Sequence, residues 1–171
     1  MKRYLHPRNA TSGFTLLELL VAILIVAVLM AIVAPSWGRY LANRRVATVQ
    51  GELKLFLEAA QTHARARRIN QVVTLQTGAS LPTVSVGETA STQSTTLTLG
   101  GGALREGVVS LSAPNSTVTF DYRGTVTGGT STPFVIRVES TDVALAGRER
   151  CVIITTLLGG ITTDEGAGCN R

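Results

Sequence analysis

Apolar positions fall into three textures along the chain. From Phe14 to Ala34 there are 21 residues whose only formal charge is Glu18. As a helix at ~1.5 Å per residue this run covers ~31 Å, the thickness of one bilayer core. Beyond Pro35 the apolar positions thin out. Val46, Val49, Leu53, Phe56 and Ala60 recur at 3-4-3-4 spacing, with Arg44, Arg45, Glu52 and Glu58 interleaved. That pattern predicts a helix buried along one stripe. From Val72 onward the chain breaks into short runs rich in Val, Ile, Thr and aromatics: Val72–Leu75, Thr95–Leu99, Val108–Leu111, Thr117–Tyr122, Phe134–Val138 and Arg150–Leu157. Such runs read as strands. Gly100-Gly101-Gly102, Arg123-Gly124 and Gly128-Gly129 supply turns between them, and residues 76–94, with little apolar periodicity, read as a loop or irregular edge. The order predicts an α+β architecture, one long N-terminal helix followed by an antiparallel β-sheet packed on its second half.

Composition sharpens this picture. The 171 residues are 44% hydrophobic and 16% charged, which excludes a disordered chain. Net charge is +5, but Lys2, Arg3 and Arg8 precede the apolar run, and without them thirteen positive residues against eleven negative leave +2. Most of the basicity is thus the flank of a membrane segment. A conventional cleaved secretory signal fits poorly, because its apolar region would be only ~7–15 residues long and end in an A-x-A site. Glu18 is the anomaly. An ionised carboxylate within an apolar segment costs ~2.5–3.5 kcal/mol on insertion scales, so it either snorkels to the headgroups or awaits a positive partner that processing creates.

Gly13-Phe14-Thr15-Leu16-Leu17-Glu18, after a short basic leader and before the unbroken apolar run, resembles the class III signal of type IV pilins and type II secretion pseudopilins. The resemblance implies that residues 1–13 are a prepilin leader, that a prepilin peptidase cuts between Gly13 and Phe14 on the cytoplasmic side, and that the new N-terminus is methylated. Glu18 then becomes the fifth residue of the mature chain. In that family the glutamate neutralises the N-terminal amine of a neighbouring subunit, here the amine of Phe14, when both are out of water. Pro35 falls where filament subunits of the family often lose helix, since proline removes a helical hydrogen bond. The implied organisation is a membrane and assembly segment over 14–36 and a periplasmic or extracellular pilin-like head over 37–171, with a helix to 68 and a sheet domain over 69–171. Implied localisation is a single pass in the bacterial inner membrane, then a pilus or pseudopilus. Partners would be other pilin subunits, the peptidase and the inner membrane.

Catalysis finds no footing. His6 lies in the leader and His63 on the helix without a partner motif, and Gly100-Gly101-Gly102-Ala103 lacks the Gly-Lys-Ser/Thr ending of a phosphate loop. No metal-ligand spacing and no cofactor motif appears, so neither is expected. Arg65, Arg67 and Arg68 sit where the helical pattern ends, and complementing the helix macrodipole accounts for them. Cys151 and Cys169, 18 positions apart, are too few for a zinc site and predict one disulfide in an oxidising compartment.

The segment Gly147-Arg148-Glu149-Arg150 leads into the last apolar strand. If it is extended, Arg148 and Arg150 share a face ~7 Å apart and Glu149 points away, a spacing suited to successive phosphates. From spacing alone, arginines that are solvated or paired with subunit carboxylates in a filament are the favoured reading, because exposed arginine pairs are common. The Gly-Arg-x-Arg pattern on a pilin-like chain is similar to the FimT/GspH group. Resemblance to FimT-type minor pilins implies non-specific DNA binding through Gly147, Arg148 and Arg150 during natural transformation. The GspH-type alternative is a structural subunit of a type II secretion pseudopilus that binds no DNA.

Overall fold

The computed structural model describes residues 13–78, 81–102, 104–128, 131–141 and 149–170, and only the backbone at 34 and 35. Residues 1–12 of the expected leader therefore lie outside it, as do Gly129, Gly147, Arg148 and Arg171. The chain divides into two units, Met1–Trp37 and Gly38–Arg171.

Helix α1 (Leu16–Arg67) carries the described part of the first unit and enters the second. Its start is encoded locally. Thr15 stands at the cap position, and its hydroxyl accepts the Glu18 backbone N–H at 3.2 Å. Thr15-Leu16-Leu17-Glu18 thus has the Thr-x-x-Glu form of a capping box. Helical backbone continues through Pro35 in the isolated chain, whereas the loss of helix the resemblance implies belongs to subunits within a filament.

In the head, α1 buries Ala42, Val46, Val49, Leu53, Leu57, Ala60 and Ala64. The stripe is the predicted one, except that Leu57 rather than Phe56 occupies the deep position while Phe56 packs at its margin. The helix ends at Arg68, whose φ of +56° turns the chain into left-handed geometry. Ile69 N–H then returns to the Ala64 carbonyl at 3.3 Å, the bond that closes a Schellman-type C-cap.

Nine strands follow among the described residues: β1 (Gln71–Leu75), β2 (Thr83–Gly87), β3 (Gln93–Thr98), β4 (Val109–Ser112), β5 (Thr117–Phe120), β6 (Val126–Thr127), β7 (Phe134–Ser140), β8 (Arg150–Ile154) and β9 (Ile161–Glu165). They form not one sheet but two, ordered β3-β2-β1-β5-β6 and β4-β7-β8-β9, with every pairing antiparallel. Val73, Leu75, Val118 and Phe120 from the first sheet join Leu111, Phe134, Ile136, Val152 and Ile154 from the second and the helix stripe in one core. Each such side chain, fully buried, contributes ~1.5–3 kcal/mol. Every buried apolar side chain among the described residues lies between Ala42 and Cys169, so the head has a complete core of its own.

The region 76–94, expected to lack regular structure, contains β2 and the start of β3. Thr83-Val84-Ser85-Val86-Gly87 does alternate, but only Val84 and Val86 carry the pattern, and burial departs from it because the small polar Ser85 is buried while Val86 is half-buried. Strand β9, Ile-Thr-Thr-Asp-Glu, is polar because it is an edge strand.

Candidate functional site

Two places carry the chemistry anticipated from the sequence. The first is the N-terminal segment. Its large apolar side chains from Phe14 to Val33 are all exposed, Phe14 at 83%, and the helix is long and apolar enough to cross a membrane. A surface of this kind has no stable existence in water and requires lipid or neighbouring protein around it. Glu18 lies in its first helical turn, where a carboxylate is favoured by the positive end of the macrodipole.

The second is the corner where β8 begins. Cys151 on β8 is joined to Cys169, in the 3-10 turn Gly166–Cys169, with Cα atoms 5.7 Å apart. The bridge and the side chains of Val135 and Ile153 form a small second core. Strand alternation sorts the neighbouring charges. Arg150 has the parity of Val152 and Ile154, which face the main core. Its guanidinium reaches Glu165 on β9 at 3.1 Å and Gln50 Oε1 on α1 at 3.4 Å. Glu149 has the parity of Cys151 and meets Arg137 Nε at 2.6 Å as a close ion contact. Arg137 also donates to the Cys169 carbonyl and Asn170 Oδ1, both at 3.2 Å. The described side chains here thus comprise two guanidiniums against Glu149, Glu165 and the nearby Asp164. Gly147 and Arg148, the other members of the anticipated motif, lie outside the described residues.

Sequence reading missed Gln50. Although polar, it is only 7% exposed. Its amide donates to the Cys151 carbonyl at 2.8 Å and the Asp164 carbonyl at 3.1 Å, tying α1 to both strands of the β8–β9 hairpin. Eleven residues later, three turns on the same face, Gln61 donates to the Gly124, Leu158 and Gly159 carbonyls at 2.8, 3.4 and 3.0 Å. These two glutamines hold the hairpin at both ends. Gly159 (φ +78°) is required there, because a Cβ would occupy the place of the Gln61 amide. The available signal was a glutamine beside Val49 on an otherwise apolar stripe.

Comparison with known proteins follows the same division. Residues 8–34 match the prokaryotic N-terminal methylation motif. The chain is 31% identical over 109 residues to Fimbrial protein Q of Moraxella bovis, covering 61% of this chain and 69% of that protein. Its fold is similar to the crystal structure of the type IV minor pilin FimU of Pseudomonas aeruginosa PAO1, with a TM-score of 0.55 at 14% identity over 71% of this chain and 90% of that one. An N-terminal methylation signal, an exposed apolar helix and a helix-backed antiparallel head in one polypeptide, together with this kinship to a fimbrial protein, establish that the chain belongs to the type IV pilin family.

Proposed function

We propose that the chain is a FimT-type minor pilin that holds extracellular DNA for uptake, contacting phosphates non-specifically through Gly147, Arg148 and Arg150. Family membership supplies the frame: an apolar helix suited to inner-membrane anchoring, processing by prepilin peptidase, and assembly with other pilus subunits. The observation carrying the finer reading is the run Gly147-Arg148-Glu149-Arg150 entering β8, where Gln50 and the Cys151–Cys169 bridge fix the base of the strand. A guanidinium held in place loses less rotamer freedom on meeting a phosphate. Within the filament, Glu18 neutralises the Phe14 amine of an adjacent subunit, both groups being desolvated there.

Glu165 makes the test sharp. Phosphate must compete with this carboxylate for Arg150. Arg148→Ala with Arg150→Ala should therefore weaken duplex binding by the head and lower the log–log salt slope by about 0.9 for each arginine removed. Glu165→Gln should strengthen binding. If neither change alters affinity, the motif does not bind DNA. The GspH-type structural reading is favoured by one observation, that Arg137 and Arg150 each already face a carboxylate. It predicts a head with no DNA affinity and a secretion defect on deletion.

A further inference from the structure

A cluster of positive charge without ion-pair partners among the described residues lies elsewhere, at the end where α1 terminates. Arg65, Arg67 and Arg68 are exposed there, beside the β5–β6 turn that carries exposed Tyr122 and Arg123. The two elements are locked together: Arg65 Nε donates to the Arg123 carbonyl at 3.0 Å. Gly124 (φ +78°) leaves the space that the Arg65 guanidinium fills. Arg123 in turn donates to the Tyr122 hydroxyl at 2.9 Å and stacks over its ring, 5.1 Å from the centroid.

No ion pair among the described residues involves any of these four arginines. The local carboxylate, Asp121, is turned to the backbone, accepting the Arg123 and Thr125 N–H groups at 2.8 Å each. Four cations and one anion give this end +3, whereas the chain from Phe14 onward totals only +2. The rest of the processed chain is therefore net negative. The helix C-terminus offsets about half a charge, which leaves most of the excess unmatched.

We infer that Arg65, Arg67, Arg68 and Arg123, with the exposed Tyr122 ring, form a second phosphate-binding surface that holds the DNA backbone apart from the Gly147–Arg150 segment. The inference rests on reading the head as a DNA binder. An arginine-stacked tyrosine amid unpaired guanidiniums supplies what nucleic-acid grooves use, cations for phosphates and a flat face for a base. Geometry relates the two surfaces. Gln50 marks the level of Arg150 and Gln61 the far end of the hairpin. Fifteen residues of helix from Gln50 to Arg65 rise ~22 Å, the axial length of ~6–7 base pairs at ~3.4 Å each.

The experiment uses the soluble head, residues 38–171, which contains the whole core, and a 30-base-pair duplex followed by fluorescence anisotropy over a salt series. Arg65 stays in place because it braces the turn. Arg67→Gln, Arg68→Asn and Arg123→Gln are combined, asparagine being chosen because it tolerates the positive φ at 68. The expected result is a salt slope lower by about 2.7 and affinity weaker on the order of a hundredfold at 0.1 M salt. An unchanged slope in a variant with wild-type thermal stability overturns the inference, and if Arg148→Gln with Arg150→Gln still weakens binding, the reading of the motif stands without it. A head that binds no duplex at all overturns both. Leu157 and Leu158 are also exposed on the β8–β9 turn, so phosphatidylglycerol vesicles form a second arm. Loss of vesicle binding with DNA affinity intact assigns the surface to lipid and overturns the inference.

Discussion

Gln50→Ala is the most informative single change in the head. The amide spans two carbonyls on adjacent strands, at 2.8 and 3.1 Å, from a side chain 7% exposed. Truncation removes these two hydrogen bonds, of ~1 kcal/mol net each, together with the longer and weaker one that Oε1 accepts from Arg150, and leaves carbonyls that water reaches poorly, so the total should be about 2–3 kcal/mol. Gln61→Ala removes a similar set of hydrogen bonds from a half-exposed position, where solvent replaces the missing donor, and should cost only about 1 kcal/mol. Urea unfolding of the head, treated as two-state, reads both. With a slope of about 2 kcal/mol/M, Gln50→Ala should lower the midpoint by about 1–1.5 M and Gln61→Ala by about half a molar. Gln50→Leu, which refills the volume without a donor, should recover little. If Gln61→Ala proves the costlier of the two, or Gln50→Ala costs under about 0.5 kcal/mol, burial does not govern these clamps and the reasoning fails.

Three further outcomes are expected. Replacing Cys151 and Cys169 by Ser should destabilise the head by ~3 kcal/mol, the chain entropy of a loop of about 19 residues, measurable by thermal melting under non-reducing conditions. Asp121 provides a pH signature. Burial alone would raise its carboxyl, but the backbone N–H and side chain of Thr125, the Arg123 N–H and the Arg123 charge together hold it below 3.8. Its stabilisation is therefore complete above that value and fades as pH falls through the lower folded-state pKa. Asp121→Asn should flatten the fall of head stability below about pH 4, and an unchanged acid limb would contradict this. Glu18→Ala should leave leader cleavage intact while filament incorporation, followed by immunoblot of sheared pili, drops; incorporation at the wild-type level would refute the charge pairing.

Elements with a pattern tied to burial were legible in the sequence. The stripe Val46–Ala60 and the strands carrying Val73 and Phe120 show a period set by one buried face, the membrane run and the strand carrying Ile136 stand out as continuous apolar runs, and the pairing of Cys151 with Cys169 followed from their number. What escaped was set by neighbours rather than by local pattern. The alternation of β2 rests on two valines alone and its burial departs from it at Ser85, β9 buries little, and the partition into two sheets depends on pairings between distant segments. At the C-terminal corner, strand parity correctly placed Arg150 and Glu149 on opposite faces. Nothing in the spacing announced that Glu165, Arg137 and Gln50 would converge on them. The arginines at the end of α1 were visible as a cluster, but their convergence with Tyr122 and Arg123 required the fold.

Strand β3 has a practical consequence. It ends its sheet, lies exposed from Gln93 to Leu97, and contains neither charge nor proline. Such a rim offers its spare amides and carbonyls to any extended polypeptide of suitable length. If purified heads associate at high concentration, this rim is the edge through which they should pair, and a lysine substituted into it should suppress that association.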